Sequence, residues 1–91
     1  MPKLKMKLYI LGNYHSSIEA INTMQSILQN IPKKEYEFKI INMLNTPEIA
    51  EKDNILVVPT LIKFNPLPKR KLVGSFKDRE RIIHELNLAA E

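Results

Sequence analysis

Cysteine is absent from this chain of 91 residues, and so is tryptophan. Without a thiol, the chain cannot form a disulfide, hold a metal through thiolates or exchange disulfides in a redox reaction. Small domains that fold without disulfides are typical of reducing compartments, so the sequence predicts a cytoplasmic protein.

Glycine is almost as scarce, because the chain contains only Gly12 and Gly74. Neither stands in the spacing of a phosphate-binding loop, so we expect no nucleotide site. The two histidines, His15 and His84, lie far apart in the chain and bring no carboxylates at a metal-ligand spacing. His15 stands beside Ser16, but adjacent residues at a helix start point in different directions. We therefore predict no metal, no cofactor and no enzymatic activity.

Long apolar segments are also missing. The first residues are basic, but the apolar run that follows spans only residues 8–11 and precedes no small-residue cleavage site, which indicates a strand. No stretch approaches the roughly 20 apolar residues that a membrane span needs. What the chain does contain is 44% hydrophobic residues and a net charge of +4. We expect one modest core in a single domain of residues 1–91, and the charge favours an acidic partner.

The first half of the chain has the pattern of a strand, a helix and a second strand. Apolar residues alternate with lysines over residues 4–11, and residues 36–44 alternate similarly. Between them, Ser16 and Glu19 have the spacing of a capping box, so we expect the helix to begin there and to end at Pro32. Its expected apolar stripe comprises Ile18, Ile21, Met24, Ile27, Leu28 and Ile31. Two strands joined by such a helix should be parallel.

The second half carries weaker signals. A short helix is expected to start with Pro47 at its first position and to stop at Asp53. Residues 55–64 form an apolar run broken by Pro59, which predicts one buried strand or two shorter pieces. Residues 72–73 favour a short strand before Gly74.

A last helix is expected to follow Ser75 and Asp78, which are good N-terminal caps. Its expected buried face comprises Ile82, Ile83, Leu86 and Ala89 or Ala90. The resulting order, βαβ followed by a short helix, two strands and a helix, is that of a thioredoxin-like α/β fold. In such folds a redox pair sits after the first strand, where this chain has no cysteine.

The most concentrated charge is the run Lys69, Arg70 and Lys71, with Lys63 and Lys77 nearby. Two interpretations stay open: a solvated strand edge protected from aggregation, or a docking patch for an acidic surface or for phosphate. The strands lack the interleaved aromatic residues on which bases stack, so the sequence disfavours nucleic acid as the partner.

Residues spread over most of the chain carry a resemblance to a known family. They are Lys7, Leu8, Tyr9, Gly12, Asn13, Ser17, Lys39, Ile40, Ile41, Asn45, Pro47, Ala50, Glu51, Asp53, Ile55, Leu56, Pro59, Thr60, Leu61, Pro66, Pro68, Gly74, Arg79 and Glu80. With these residues the chain resembles the KaiB family. The resemblance implies a non-enzymatic regulator that binds a KaiC-like ATPase, in a clock or a stress-response system, and KaiA where that protein exists. An oligomeric thioredoxin-like adaptor for another acidic protein is the alternative.

The resemblance also implies which residues meet the partner. The family's ATPase-facing surface matches Lys39 and the segment Lys52, Asp53 and Asn54, where Asn54 replaces a lysine usual in the family. Arg70 and Lys71 match paired basic residues of the family. The run from Lys69 to Lys71 therefore gains weight as a binding patch.

Members of the family are metamorphic, which implies a KaiB fold whose second half switches between two packings. One form is a homo-oligomer, a dimer or commonly a tetramer, and the other is a thioredoxin-like monomer. Pro59, Pro66 and Pro68 are candidate switch residues, although Pro59 also suits the fixed cis proline of an ordinary thioredoxin-like fold. Glu85 and Asn87 stand where clock members commonly have glycine and aspartate. We expect Glu85 to make this chain favour the form with a continuous last helix more than clock members do, with amide protection from Asp78 to Leu88 as the test.

Overall fold

The computed structural model describes residues 3–88. Its elements follow one another in the predicted order and have the following bounds: β1 (Leu4–Ile10), α1 (His15–Leu28), β2 (Tyr36–Asn42), α2 (Glu48–Lys52), β3 (Thr60–Asn65), β4 (Arg70–Val73) and α3 (Arg79–Glu85). A single 3-10 turn, Lys33–Glu35, leads into β2. Within residues 3–88, no helix is long and apolar enough to cross a membrane.

The four strands form one sheet in the order β2-β1-β3-β4. The strand β1 is parallel to β2, as the connection through α1 requires, and antiparallel to β3. The strand β4 pairs with β3 in an antiparallel hairpin. The thioredoxin-like α/β fold predicted from the element order is thereby confirmed.

Two apolar clusters lie on opposite faces of the sheet. The larger one lies between the sheet and the helices α1 and α3, and its fully buried members include Leu8, Met24 and Leu86. The smaller one lies on the other face and consists of Tyr9, Ile55 and Ile62, with partly buried side chains such as Ile49 of α2 packed against it. The helix α2 therefore covers only part of that second face.

The start of α1 differs from the expected capping box. The helix begins at His15, its N-cap is Tyr14, and no side chain caps it. Ser17 is buried because its hydroxyl lies against the end of β1, with Oγ 3.4 Å from the carbonyl oxygen of Leu11. This contact turns the buried face of α1 toward Ser17, so Ile18 is 45% exposed and its predicted place in the core was wrong. The helix also ends at residue 28, before the predicted stop at residue 32.

The second half departs from expectation at the apolar run of residues 55–64. The strand β3 begins only at Thr60, and of the four residues 55–58 only Ile55 is buried. Pro47 is the N-cap of α2, not its first helical residue. The bonds before Pro59, Pro66 and Pro68 are cis.

The last helix confirms one expectation and contradicts another. Asp78 is its N-cap and accepts a hydrogen bond from the backbone NH of Arg81, whereas Ser75 does not cap it. Backbone hydrogen bonds continue past the end of the helix, since the NH groups of Leu86 and Leu88 donate to the carbonyl oxygens of Ile82 and Ile83, and the effect of Glu85 on this helix stays a prediction. The helix ends at Glu85, and Asn87 adopts a left-handed conformation with φ of 56°. Ala89 and Ala90, expected on its buried face, lie outside the described residues.

Candidate partner-binding face

Lysines dominate the part of the sheet that α2 leaves uncovered. Along β1, side chains alternate, so that Leu4, Met6 and Leu8 enter the larger core while Lys5 and Lys7 point to the opposite side. Residues paired across strands share a face. Lys7 pairs with Lys39 on β2 and with Ile62 on β3, and Ile62 pairs with Lys71 on β4. Three lysines from three strands therefore lie in one row across the sheet.

An aromatic ring holds two of the lysines of this surface. The Nζ atom of Lys7 lies 5.4 Å from the centroid of the Phe64 ring, and that of Lys69 lies 5.1 Å from it. Such cation-π contacts fix the ammonium groups without neutralising them. Lys5, Lys7, Lys39, Lys69 and Lys71 form what we call the basic face.

Among residues 3–88, one acidic side chain, Glu37, pairs with a lysine of the basic face. Its carboxylate lies 3.8 Å from the Nζ atom of Lys39. Both side chains are well exposed, so the pair contributes about 0–1 kcal/mol and leaves the lysine free to exchange partners. The basic face thus keeps most of its positive charge available to an acidic surface.

The C-terminal end of α2 is fastened to this face by two hydrogen bonds. The buried Tyr9 hydroxyl donates to Oδ2 of Asp53 at 2.7 Å. Burial raises the pKa of Tyr9 well above its usual range, and the hydrogen bond to Asp53 adds to the rise. Nearby, the ammonium group of Lys71 donates to the carbonyl oxygen of Asn54 at 3.0 Å.

The structure brings most of the sequence-predicted partner residues together. Lys39, Lys69 and Lys71 belong to the basic face, and the exposed Lys52 and Asn54 stand at the end of α2 that is tied to it. These residues come from β2, β4 and α2, so only the folded chain forms this surface.

Two predicted residues take other positions. Asp53 is half-buried and faces Tyr9, so its carboxylate is an internal anchor. Arg70 pairs in register with Lys63 and shares the parity of the core residue Leu72, which places Arg70 on the helix side of β4. The run from Lys69 to Lys71 is therefore split between the two faces of the sheet.

The sequence reasoning missed an apolar rim beside the basic face. Tyr14, Leu44, Leu56 and Val57 are all more than half exposed, and they stand in the loops that follow β1, follow β2 and precede β3. These loops lie at the end of the sheet where β1 and β2 finish and β3 begins. Pro59 was the available signal, because proline has no NH to donate to a neighbouring strand, and β3 begins only after it and leaves residues 56–57 outside the strand.

This α/β domain has four strands in a thioredoxin-like topology, no cysteine, and a basic face beside an apolar rim. It belongs to the class of thioredoxin-like proteins that have no thiol chemistry. The KaiB domain family model matches residues 7–88. This chain belongs to the KaiB family.

Relatives named "Circadian clock oscillator protein KaiB" agree with this assignment. The protein of Prochlorococcus marinus strain MIT 9312 is 43% identical over 83 residues, which cover 91% of this chain and 79% of the relative. That of Rippkaea orientalis is 42% identical over 86 residues, covering 94% of this chain and 83% of the relative. These names describe clock proteins and no enzymatic activity.

Solved structures show the same fold at low identity. The N-terminal domain of Synechococcus elongatus SasA aligns with a TM-score of 0.71 and 19% identity, over 100% of this chain and 90% of that domain. Mitochondrial thioredoxin 3 from Saccharomyces cerevisiae aligns with a TM-score of 0.74 and 12% identity, over 97% of this chain and 81% of the thioredoxin. At such identities the likeness establishes the thioredoxin-like fold.

Proposed function

We propose that this chain is a non-enzymatic regulator that binds a KaiC-like ATPase through the basic face and the adjoining end of α2. The observation that supports this most is the row of Lys39, Lys7 and Lys71, which three strands hold in register on an uncovered sheet surface. A surface of this kind attracts an acidic partner and orients it during encounter. Membership of the KaiB family supplies the class of partner.

The apolar rim complements the charged surface. Charges at the edge of an interface mainly set the association rate, whereas desolvated apolar side chains supply much of the lasting affinity. Leu56 is 86% exposed, so the described part of the chain leaves most of its side chain in contact with solvent. We assign it to the centre of the contact, with the lysines around it.

The proposal includes a self-associated resting form, a dimer or tetramer, from which the chain changes to the thioredoxin-like packing. The shortness of the elements in the second half supports the change of packing. The helices α2 and α3 have only five and seven residues, and β4 has four. Elements this short depend on tertiary packing, so a second arrangement can lie within a few kcal/mol. Pro59, Pro66, Pro68, Glu85 and Asn87 all stand in this half of the chain and are its candidate switch residues.

The test mixes the purified chain with a KaiC-like ATPase and ATP, and follows complex formation by size exclusion with light scattering from seconds to hours. The variants Lys39→Glu and Lys71→Glu each reverse a charge of the basic face. We expect each to weaken binding at least tenfold, since a lost charge contact at an interface costs about 1.5 kcal/mol or more. The matched control is Lys33→Glu, which reverses an exposed charge on the 3-10 turn away from this face.

Three results would separate the possibilities. A complex that forms slowly while an oligomer disappears supports both binding and switching. A complex that forms at once, from a monomer, supports binding and contradicts the switch. Equal binding by Lys33→Glu and by the two basic-face variants would overturn the assignment of the surface.

The alternative function is a thioredoxin-like adaptor that binds another acidic protein. The fold shared with thioredoxins favours it as the second candidate, because it needs only the basic face and no change of packing. It predicts that the chain stays a stable oligomer and forms no complex with the ATPase in the same experiment.

A further inference from the structure

A second candidate site lies on the other side of the sheet. A cavity of about 640 Å³ opens where β1 begins and β3 ends, between the C-terminal end of α1 and α3. Leu4, Ile27, Ile31 and Ile83 contribute apolar walls to it. Its volume falls in the range of roughly 300–1,000 Å³ that small-molecule sites occupy.

Lys63 makes this cavity unusual. It lies on β3 with the same parity as the core residue Leu61, so its side chain points to the helix side of the sheet, where it lines the cavity. It is only 1% exposed. Its side chain is therefore buried while it contributes to the wall of the cavity.

An ammonium group beside apolar walls loses part of its hydration, which disfavours its charged form, and an anion bound next to it would offset that cost. Burial lowers the pKa of Lys63, and the nearby positive charge of Arg70 lowers it further. Arg70 thus disfavours the charged form of Lys63, whereas an anion bound in the cavity would stabilise that form.

The charges around the cavity restrict the kind of anion. Lys3, Lys63 and Arg79 line it together with the acidic Glu35 and Glu80, which leaves an excess of one positive charge. Arg79 already pairs with Glu80 at 3.5 Å. A monoanion therefore matches the available charge, whereas a dianionic phosphate would meet two carboxylates.

We propose that this cavity binds a small monocarboxylate with an apolar chain. The carboxylate pairs with Lys63, and the chain packs against Ile27, Ile31 and Ile83. The site shares no side chain with the basic face, so this binding is independent of the proposed ATPase contact.

The first experiment titrates the full chain, labelled with ¹⁵N and methyl ¹³C, with octanoate and separately with 1-octanol. We expect octanoate to shift the methyl resonances of the three isoleucines and to bind at least tenfold more tightly than the neutral alcohol. Octanoate binding should weaken as the pH rises and Lys63 loses its proton. Octanoate that leaves these resonances unshifted would overturn the proposal, and so would equal binding of the two compounds.

The variant Lys63→Met keeps an unbranched side chain, one atom shorter, and removes the charge. We expect it to lose at least tenfold in affinity for octanoate and to keep or increase its affinity for 1-octanol. The control Lys77→Met removes an exposed lysine that does not line the cavity and should bind octanoate as the unmodified chain does. If Lys63→Met bound octanoate unchanged, the assignment of Lys63 would be wrong. If Lys63→Met did not fold, the comparison of octanoate with 1-octanol on the unmodified chain would still decide.

Discussion

The hydrogen bond between Tyr9 and Asp53 predicts a stability change that depends on pH. It joins the centre of the sheet to the residue that ends α2, at a donor–acceptor distance of 2.7 Å. A hydrogen bond to a charged group contributes about 1.5–3 kcal/mol. Asp53 is only half-buried and can regain water, so we expect Tyr9→Phe to cost about 1.5 kcal/mol at pH 8.

The sign of the pH dependence follows from the raised pKa of Tyr9. Above pH 10 an unfolded tyrosine releases its proton, while folded Tyr9 keeps it, so proton release favours the unfolded chain and stability falls with rising pH. At pH 11 this linkage costs the unmodified chain on the order of 1 kcal/mol relative to neutral pH. The variant with phenylalanine has no such proton, so the difference between the two proteins should fall to less than half of its value at pH 8.

Urea unfolding of both proteins at pH 8 and pH 11, at one fixed protein concentration, measures the two differences. Taking the difference between proteins at each pH removes the effect of the other groups that titrate in this range. The control is Tyr14→Phe, because Tyr14 is 66% exposed and its hydroxyl carries no comparable contact. A Tyr9→Phe difference that stayed constant between pH 8 and pH 11 would refute the reasoning.

Three further substitutions test the fold. Asp78→Ala removes the side-chain cap of α3 and should cost about 1 kcal/mol in urea unfolding, with Asp78→Asn close to neutral. Leu86→Ala empties a fully buried position and should cost about 2–5 kcal/mol, seen as a lower urea midpoint. Gly12→Ala places a Cβ atom 3.0 Å from Leu44 at a φ of 61°, so it should cost about 1–2 kcal/mol by the same assay, and an unchanged midpoint would contradict the left-handed turn.

The first half of the fold could be predicted because its signals are local. Alternation over residues 4–11 defines β1, and helical periodicity defines α1. Helical periodicity alone did not show whether Ser17 or Ile18 faces the core, because the two residues are adjacent in the chain. In the structure Ser17 is buried and Ile18 is exposed. The contact of the Ser17 hydroxyl with the end of β1 decides this, and it exists only once strand and helix are docked.

The basic face was only partly predictable for the same kind of reason. Alternation places Lys5 and Lys7 on one side of β1, which can be seen in the sequence. That Lys39 and Lys71 join them depends on strand register, and shifting β2 or β4 by one residue would put either lysine on the opposite side. The same rule separates Arg70 from Lys71, although the two are neighbours in the chain.

The contacts between α2 and the sheet bear on the proposed change of packing. Elements as short as α2 and α3 gain little stability alone, so their arrangement depends on contacts with the sheet and with loops. For α2 these contacts include Tyr9 with Asp53 and Lys71 with Asn54, both of which join it to the sheet. Because Lys71 also belongs to the basic face, an acidic partner that engages this lysine acts on one of the bonds that position α2. For the proposed complex we therefore expect binding and the packing of the second half to be coupled through Lys71, so that each changes the free energy of the other.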